Sequence, residues 1–182
     1  TGSRKDIHEV YIAGFHPLIG IISIPNDATF MIYKDKLIEI AKNPNTNLKI
    51  ICYGNHEIEK IMDNLHKSSE EKIGIKSDSA NFFTEIEKNE NKHLAVWRTF
   101  NLNALHFFII DNVAYQFSVV PNLDKKMNEL VGIKTEDIFI IDFLIKTFKE
   151  LESQCITPIK YAFIEEIGGI IKWKFTFEKQ NN

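Results

Sequence analysis

Two short apolar runs, each closed by glycine, bracket a stretch of helical period in the first third of the chain. His8 to Gly14 reads HEVYIAG, and Asn47 to Gly54 reads NLKIICYG. Apolar runs of this length without polar alternation are strands buried on both faces. Between them Phe30, Tyr33, Leu37, Ile38 and Ala41 fall on one face at helical spacing, from Asp27 to a stop at Asn43-Pro44. Asn55 caps a second helix through Lys67, with Ile58, Ile61, Met62 and Leu65 as its stripe. Strand, helix, strand, helix in this order predicts a right-handed crossover between parallel neighbours, and so an α/β fold.

The pattern then changes. A short helix is expected at Asn81 to Glu90, capped by Ser79 and carrying Phe82, Phe83 and Ile86. Leu94–Phe100, Ala104–Asp111 and Ala114–Val120 read as successive strands, the last two joined by a tight turn at Asp111-Asn112. A short helix near Leu123 to Val131 stops at Gly132. A longer one runs from about Thr135 to Glu152 on the stripe Ile138, Ile141, Leu144, Ile145, Phe148 and Leu151. Gly168-Gly169 forms the turn of a hairpin between Lys160–Ile167 and Ile170–Glu178, where Ile171, Trp173, Phe175 and Phe177 alternate with polar residues. The expected fold is a single α/β domain: a mixed, largely parallel sheet flanked by helices, plus a C-terminal β-hairpin. Residues 1–6 are leader, 7–158 the α/β domain, and 159–182 the hairpin packed on it.

With 182 residues, 44% of them hydrophobic and 14 of them Phe, the chain can bury one large aromatic core. A net charge of −3 disfavours a strongly basic nucleic-acid domain. Cys52 and Cys155 make no disulfide framework and read as free thiols in a reducing, cytoplasmic compartment. The six histidines form no HExxH or HxH pattern, so neither a metal nor a cofactor is expected. No apolar stretch is long enough to span a membrane, and no membrane contact is expected from this segment. Thr1-Gly2-Ser3 reads as a cloning remnant, which implies further domains in a longer chain. Abundant Ile, Lys and Asn point to an A·T-rich bacterial genome.

Six residues stand out for chemistry. His106 lies in an apolar strand, with Asp111 five residues on at the strand's end. This pair reads as a nucleophile or general base with an acidic neighbour, or as a core histidine beside a turn aspartate. Arg98 is the sole arginine besides Arg4. Its planar guanidinium fits a phosphate or carboxylate, or its stem covers apolar surface. His16 sits in the Gly14–Asn26 loop after the first strand, a usual place for ligand loops, though the loop holds neither GxGxxG nor a P-loop. Asn55 and His56 open the helix after the second strand, where backbone amides receive an anion or only their cap.

The order of elements and the segment Ala104–Asp111 (ALHFFIID) resemble the phospholipase D-like superfamily, over roughly Ile7 to Glu152. In that family a strand carries His-x-Lys and, after four further residues, Asp. The histidine attacks a phosphodiester, the lysine holds the phosphate, and two half-motifs meet about a two-fold. Aligning Asp111 puts Ala104 at the histidine position and His106 at the lysine position. Aligning His106 puts Phe108 at the lysine and Val113 at the aspartate. Neither register keeps nucleophile and lysine together, so the resemblance implies a non-catalytic relative.

The first expectation is therefore a regulatory or interaction module of a larger intracellular protein. It would be a homodimer that binds a phosphate-bearing small molecule or nucleic acid through His16, Asn55, His56, Arg98, His106 and Asp111. The alternatives are a phosphodiesterase or nuclease using His106, and a ligand-free dimerisation domain using the terminal hairpin. If Arg98 grips an anion, Arg98→Lys is expected to weaken that binding by about 1–3 kcal/mol, since lysine cannot reproduce the bidentate contact. Thermal-shift screening of nucleotides and sugar phosphates measures this. Equal shifts in both proteins would remove Arg98 from the site.

Overall fold

Side chains of the first strand point alternately to two faces, and both faces are covered. The computed structural model describes residues 8–14, 28–53, 81–97, 105–122, 127–155, 160–167 and 170–176. Strand β1 (His8–Gly14) sends Val10 and Ile12 to one face and Ala13 to the other. Strand β2 (Thr46–Tyr53) divides in the same way, Leu48, Ile50 and Cys52 against Ile51 and Tyr53. Strand β3 (Lys92–Trp97) sets Leu94 and Val96 against Ala95. Burial on both sides removes any need for polar alternation, which is why these segments are apolar runs.

Helices supply the two covers. Helix α1 (Ala28–Lys42) and helix α2 (81–88) pack Leu37, Ala41, Phe82, Phe83 and Ile86 on the first face. Helix α3 (Ile138–Ser153) packs Ile141, Leu144 and Phe148 on the second. Its N-cap is Asp137, whose Oδ1 accepts from Phe139 N at 2.8 Å and Ile140 N at 3.4 Å. Two of the four otherwise unpaired amides of the first turn are thereby satisfied.

Strands β4 (His106–Ile110), β5 (Val113–Asn122) and β6 (Met127–Thr135) complete a six-stranded sheet of order β3-β2-β1-β4-β5-β6. The pairings β1–β2 and β2–β3 are parallel, and β1–β4, β4–β5 and β5–β6 are antiparallel. The sheet is mixed as expected, but it is not largely parallel. The turn at Asp111-Asn112 is too short for a crossover, so β4 and β5 must run antiparallel. Asp111 takes φ 51°, a left-handed conformation that aspartate tolerates better than most residues.

The expected helix near Leu123–Val131 is corrected: residues 127–135 are strand β6. Met127, Leu130 and Val131 imitate a helical stripe, but Val131, Ile133 and Thr135 also alternate, and pairing along the whole of β6 with β5 decides for the strand. Gly132, read from the sequence as a helix stop, faces Phe117 instead. A Cβ there would lie 3.1 Å from the Phe117 ring. Strands β7 (Lys160–Ile167) and β8 (Ile170–Thr176) pair antiparallel as a separate two-stranded sheet, as the hairpin reading predicts. The Asn55–Lys67 helix, the Ser79 cap, the Gly168-Gly169 turn and the hairpin's seat lie outside the described residues.

Polar side chains tie the layers together. Tyr11, Lys49 and His93 stand side by side on neighbouring strands, on the face that α3 covers. Lys49 Nζ donates to both carboxylate oxygens of Glu152 on α3, at 3.1 and 3.2 Å. His93 Nε2 stands 3.9 Å from Glu152 Oε1. Asn47 and Tyr11 donate to Glu9 one step along the strands. On another flank the buried Lys92 donates to the carbonyls of Asn43 and Thr46, which closes the turn from α1 into β2. Burial lowers the Lys92 pKa against a smaller opposing effect from Glu85.

Burial also lowers the His93 pKa, with Lys49 adding to the shift and Glu152 opposing it. The folded chain therefore takes up this proton less readily than the unfolded chain. Above about pH 6.5 both states hold a neutral imidazole, and below it the unfolded chain charges first. The contribution of His93 is thus fully present above that pH and is lost as the pH falls. Urea denaturation of wild type and His93→Gln from pH 7.5 to 5 is expected to show a shallower loss in the variant. Identical slopes would exclude His93 as a source.

Candidate ligand site at the carboxyl edge of the parallel strands

Three parallel strands end together. Gly14 pairs with Cys52, and Tyr53 pairs with Trp97, so β1, β2 and β3 finish at one edge of the sheet. Strand β4 runs the other way, and the register Ala13↔Phe107 puts its first residue, His106, at that same edge. Open α/β sheets place their ligand crevices outside the carboxyl ends of parallel strands, where the strand order switches. Here the switch lies between β1 and β4.

The side chains at this edge form an aromatic cluster. The Tyr53 hydroxyl donates to the Leu105 carbonyl at 2.6 Å, a reach across the end of β1. Its ring meets Trp97 edge-on, with centroids 5.3 Å apart and planes at 78°. The same ring lies 5.7 Å from the His106 imidazole. Tyr53 is fully buried, and that burial holds its phenol protonated well above the ordinary range. The His106 side chain is half-buried. Gly14 makes room for it, because a Cβ at Gly14 would lie 3.0 Å from His106 Nδ1. Residue 14 is a glycine because β1 must approach this ring closely.

Phe108 shares the face of His106 two positions along the strand. It packs on Tyr33 at 6.0 Å and Phe117 at 5.2 Å, joining the cluster beneath α1 and α2. This side chain therefore serves the core, and it brings no charge to the edge.

Asp111 is not beside His106. Strand β4 is antiparallel to β1, so its far end lies at the amino edge of the parallel strands. The two residues are separated by the length of β4, about 17 Å at ordinary strand rise. The reading of Asp111 as the acidic neighbour of His106 is corrected by that reversal. Asp111 Oδ2 is 2.9 Å from His8 Nδ1, and Oδ1 accepts from the Glu9 amide at 2.9 Å. The Asp111 amide donates to the Glu9 carbonyl at 2.8 Å. These bonds staple the β4–β5 turn to the start of β1.

The other candidates lie outside the described residues. By chain position His16 follows the end of β1 by two residues, Asn55 and His56 follow β2 by two and three, and Arg98 follows β3 by one. Sequence reasoning missed Gly14, Tyr53 and Trp97. The readable signal was that each is the last residue of an apolar run. Both cysteines are free thiols, and burial pushes the Cys52 thiol up and that of Cys155 up to about 12. Among the described residues no cluster of His, Cys, Asp and Glu could hold a metal ion. No helix among them is long and apolar enough to cross a membrane.

The close approach of Gly14 to His106 is open to measurement. Gly14→Ala should push the imidazole out of place at a cost of about 1–3 kcal/mol, as for overpacking elsewhere. In a His106→Ala background the cost should shrink, giving a coupling above about 0.5 kcal/mol in a double-mutant cycle. Strictly additive costs would mean that the ring yields freely.

No family model matches the chain, and neither does any curated protein. Among solved structures it is similar to TrmBL2, an archaeal chromatin protein whose structure shows a novel mode of DNA binding. The TM-score is 0.42 and the identity 12%, over 82% of this chain and 45% of that one. The match thus spans less than half the length of that chain.

Proposed function

We propose that this chain is a phospholipase D-like domain without the family's catalysis, and that it binds a phosphate-bearing small molecule at the carboxyl edge. The observation that carries this reading is the half-buried His106, seated against Gly14 and Tyr53 where the sheet changes direction. An imidazole held there offers a hydrogen-bond donor to an anion. The partly exposed Trp97, held edge-on by the buried Tyr53 ring, offers flat apolar surface to a base or sugar face.

The non-catalytic part of the reading rests on two placements. Taking His106 as the nucleophile puts Phe108 at the lysine position, and that ring is packed into the core. A phosphoryl transfer site needs a cation on the phosphate oxygens, which phenylalanine cannot provide. The acidic partner suggested by the sequence, Asp111, is engaged at the opposite edge with His8 and Glu9. Binding without turnover is the chemistry that remains, as in a regulatory or interaction module of a larger protein.

Thermal-shift screening of sugar phosphates and nucleotides against wild type and His106→Ala tests the binding. A stabilising ligand is expected whose shift disappears in the variant. Neither protein should turn over bis-p-nitrophenyl phosphate or single-stranded DNA. Metal-independent turnover abolished by His106→Ala would overturn the non-catalytic reading and install a phosphodiesterase.

A further inference from the structure

The two edges of the six-stranded sheet are built differently. At β3, Leu94, Ala95 and Val96 are no more than 1% exposed. At β6, Val131 is 45% exposed and Ile133 64%. The register places Val131 and Ile133 opposite Ser118 and Gln116, on the same face as Ala114, which packs in the cluster beneath α3. Helix α3 starts three residues after β6 ends, and its first two turns expose Ile138, Phe139, Ile140 and Phe143. Phe139 alone is 82% exposed. A strand with no sheet neighbour beyond it among the described residues is thus followed at once by a helix start that exposes four apolar side chains.

We infer that this side is the contact with a second copy of the chain, β6 pairing antiparallel with its equivalent and the two α3 flanks packing across the two-fold. The six exposed side chains present on the order of 600 Å² of apolar surface per copy, most of the roughly 800 Å² per partner of a standard interface. A patch of that size left in water is rare on monomers. An unprotected edge strand is also a template for pairing, which proteins blunt with charges pointing along it. Here positions 131, 133 and 135 are Val, Ile and Thr, so the stretch around the centre of this pairing carries no charge to repel a copy of itself. The nearby Lys134 is already matched by Glu136 at 2.7 Å. A two-fold axis normal to the sheet keeps side chains of like face together. Centred on Gly132, it sets Ile133 of each copy across from Val131 of the other, two apolar cross-strand pairs.

Light scattering on the intact chain at micromolar concentration tests this. The expected mass is twice 21.1 kDa. Ile133→Glu and Phe139→Glu are each expected to return it to 21.1 kDa with an unchanged far-ultraviolet circular dichroism spectrum, since both sites are solvent-exposed. The double substitution Val131→Cys, Ile133→Cys is expected to cross-link two copies under oxidation. A monomeric wild type, or a dimer that both glutamate substitutions leave intact, would overturn the proposal.

Discussion

Strand β1 has a hydrogen-bonded neighbour on each edge and a helical layer on each face, and the domain is arranged around that burial. A strand with no access to water must pair every backbone amide and carbonyl. Its two neighbours meet that demand in opposite ways. Strand β2 is parallel, so the chain has to cross back over the sheet, and α1 is the crossover. Strand β4 is antiparallel and frees the remainder to fold by short connections. The two helical layers follow, because parallel strands are stable only when both faces are covered.

The same reversal decides which residues share an edge. In a wholly parallel sheet, the last residue of each strand would face the ligand crevice. Here the first residue of β4 does so, and the last one stands at the other edge. His106 therefore joins Gly14, Tyr53 and Trp97, while Asp111 joins His8 and Glu9. Five residues of sequence make them look like partners, yet a strand is the most extended way to join two positions. The aspartate does structural work instead, holding a left-handed turn against the start of β1.

Polar groups inside the layers follow the same logic of satisfied burial. Lys92 is buried because three of its acceptors, the carbonyls of Asn43 and Thr46 and the Asn91 side chain, are gathered there by the turn out of α1. Glu152 lies where α3 descends over β2 and β3, and Lys49 and His93 meet it from adjacent strands. Such pairs add little binding energy where they are half-exposed, but they fix where α3 sits along the sheet. The contrast with β6 is plain, for there apolar groups face outward with nothing above them among the described residues.

Much of the architecture was legible in residue order alone. The runs HEVYIAG and NLKIICY, the helical stripes before Asn43-Pro44 and in 138–151, and the Asp111-Asn112 turn all lie where local period and turn chemistry place them. Those signals are local, and local physics sets them. His106 was likewise visible as a polar residue in an apolar strand. Two things were not legible. One was β6, because MNELVGIKT has apolar residues at both helical and alternating spacing, and only pairing with β5 chooses between them. The other was strand direction. Whether His106 and Asp111 share an edge, and whether Tyr53 reaches across β1 to Leu105, depends on which strands are neighbours and which way each runs. Period and composition set the elements, whereas backbone pairing between distant segments set the site, because hydrogen bonds across a sheet join residues that no local pattern connects.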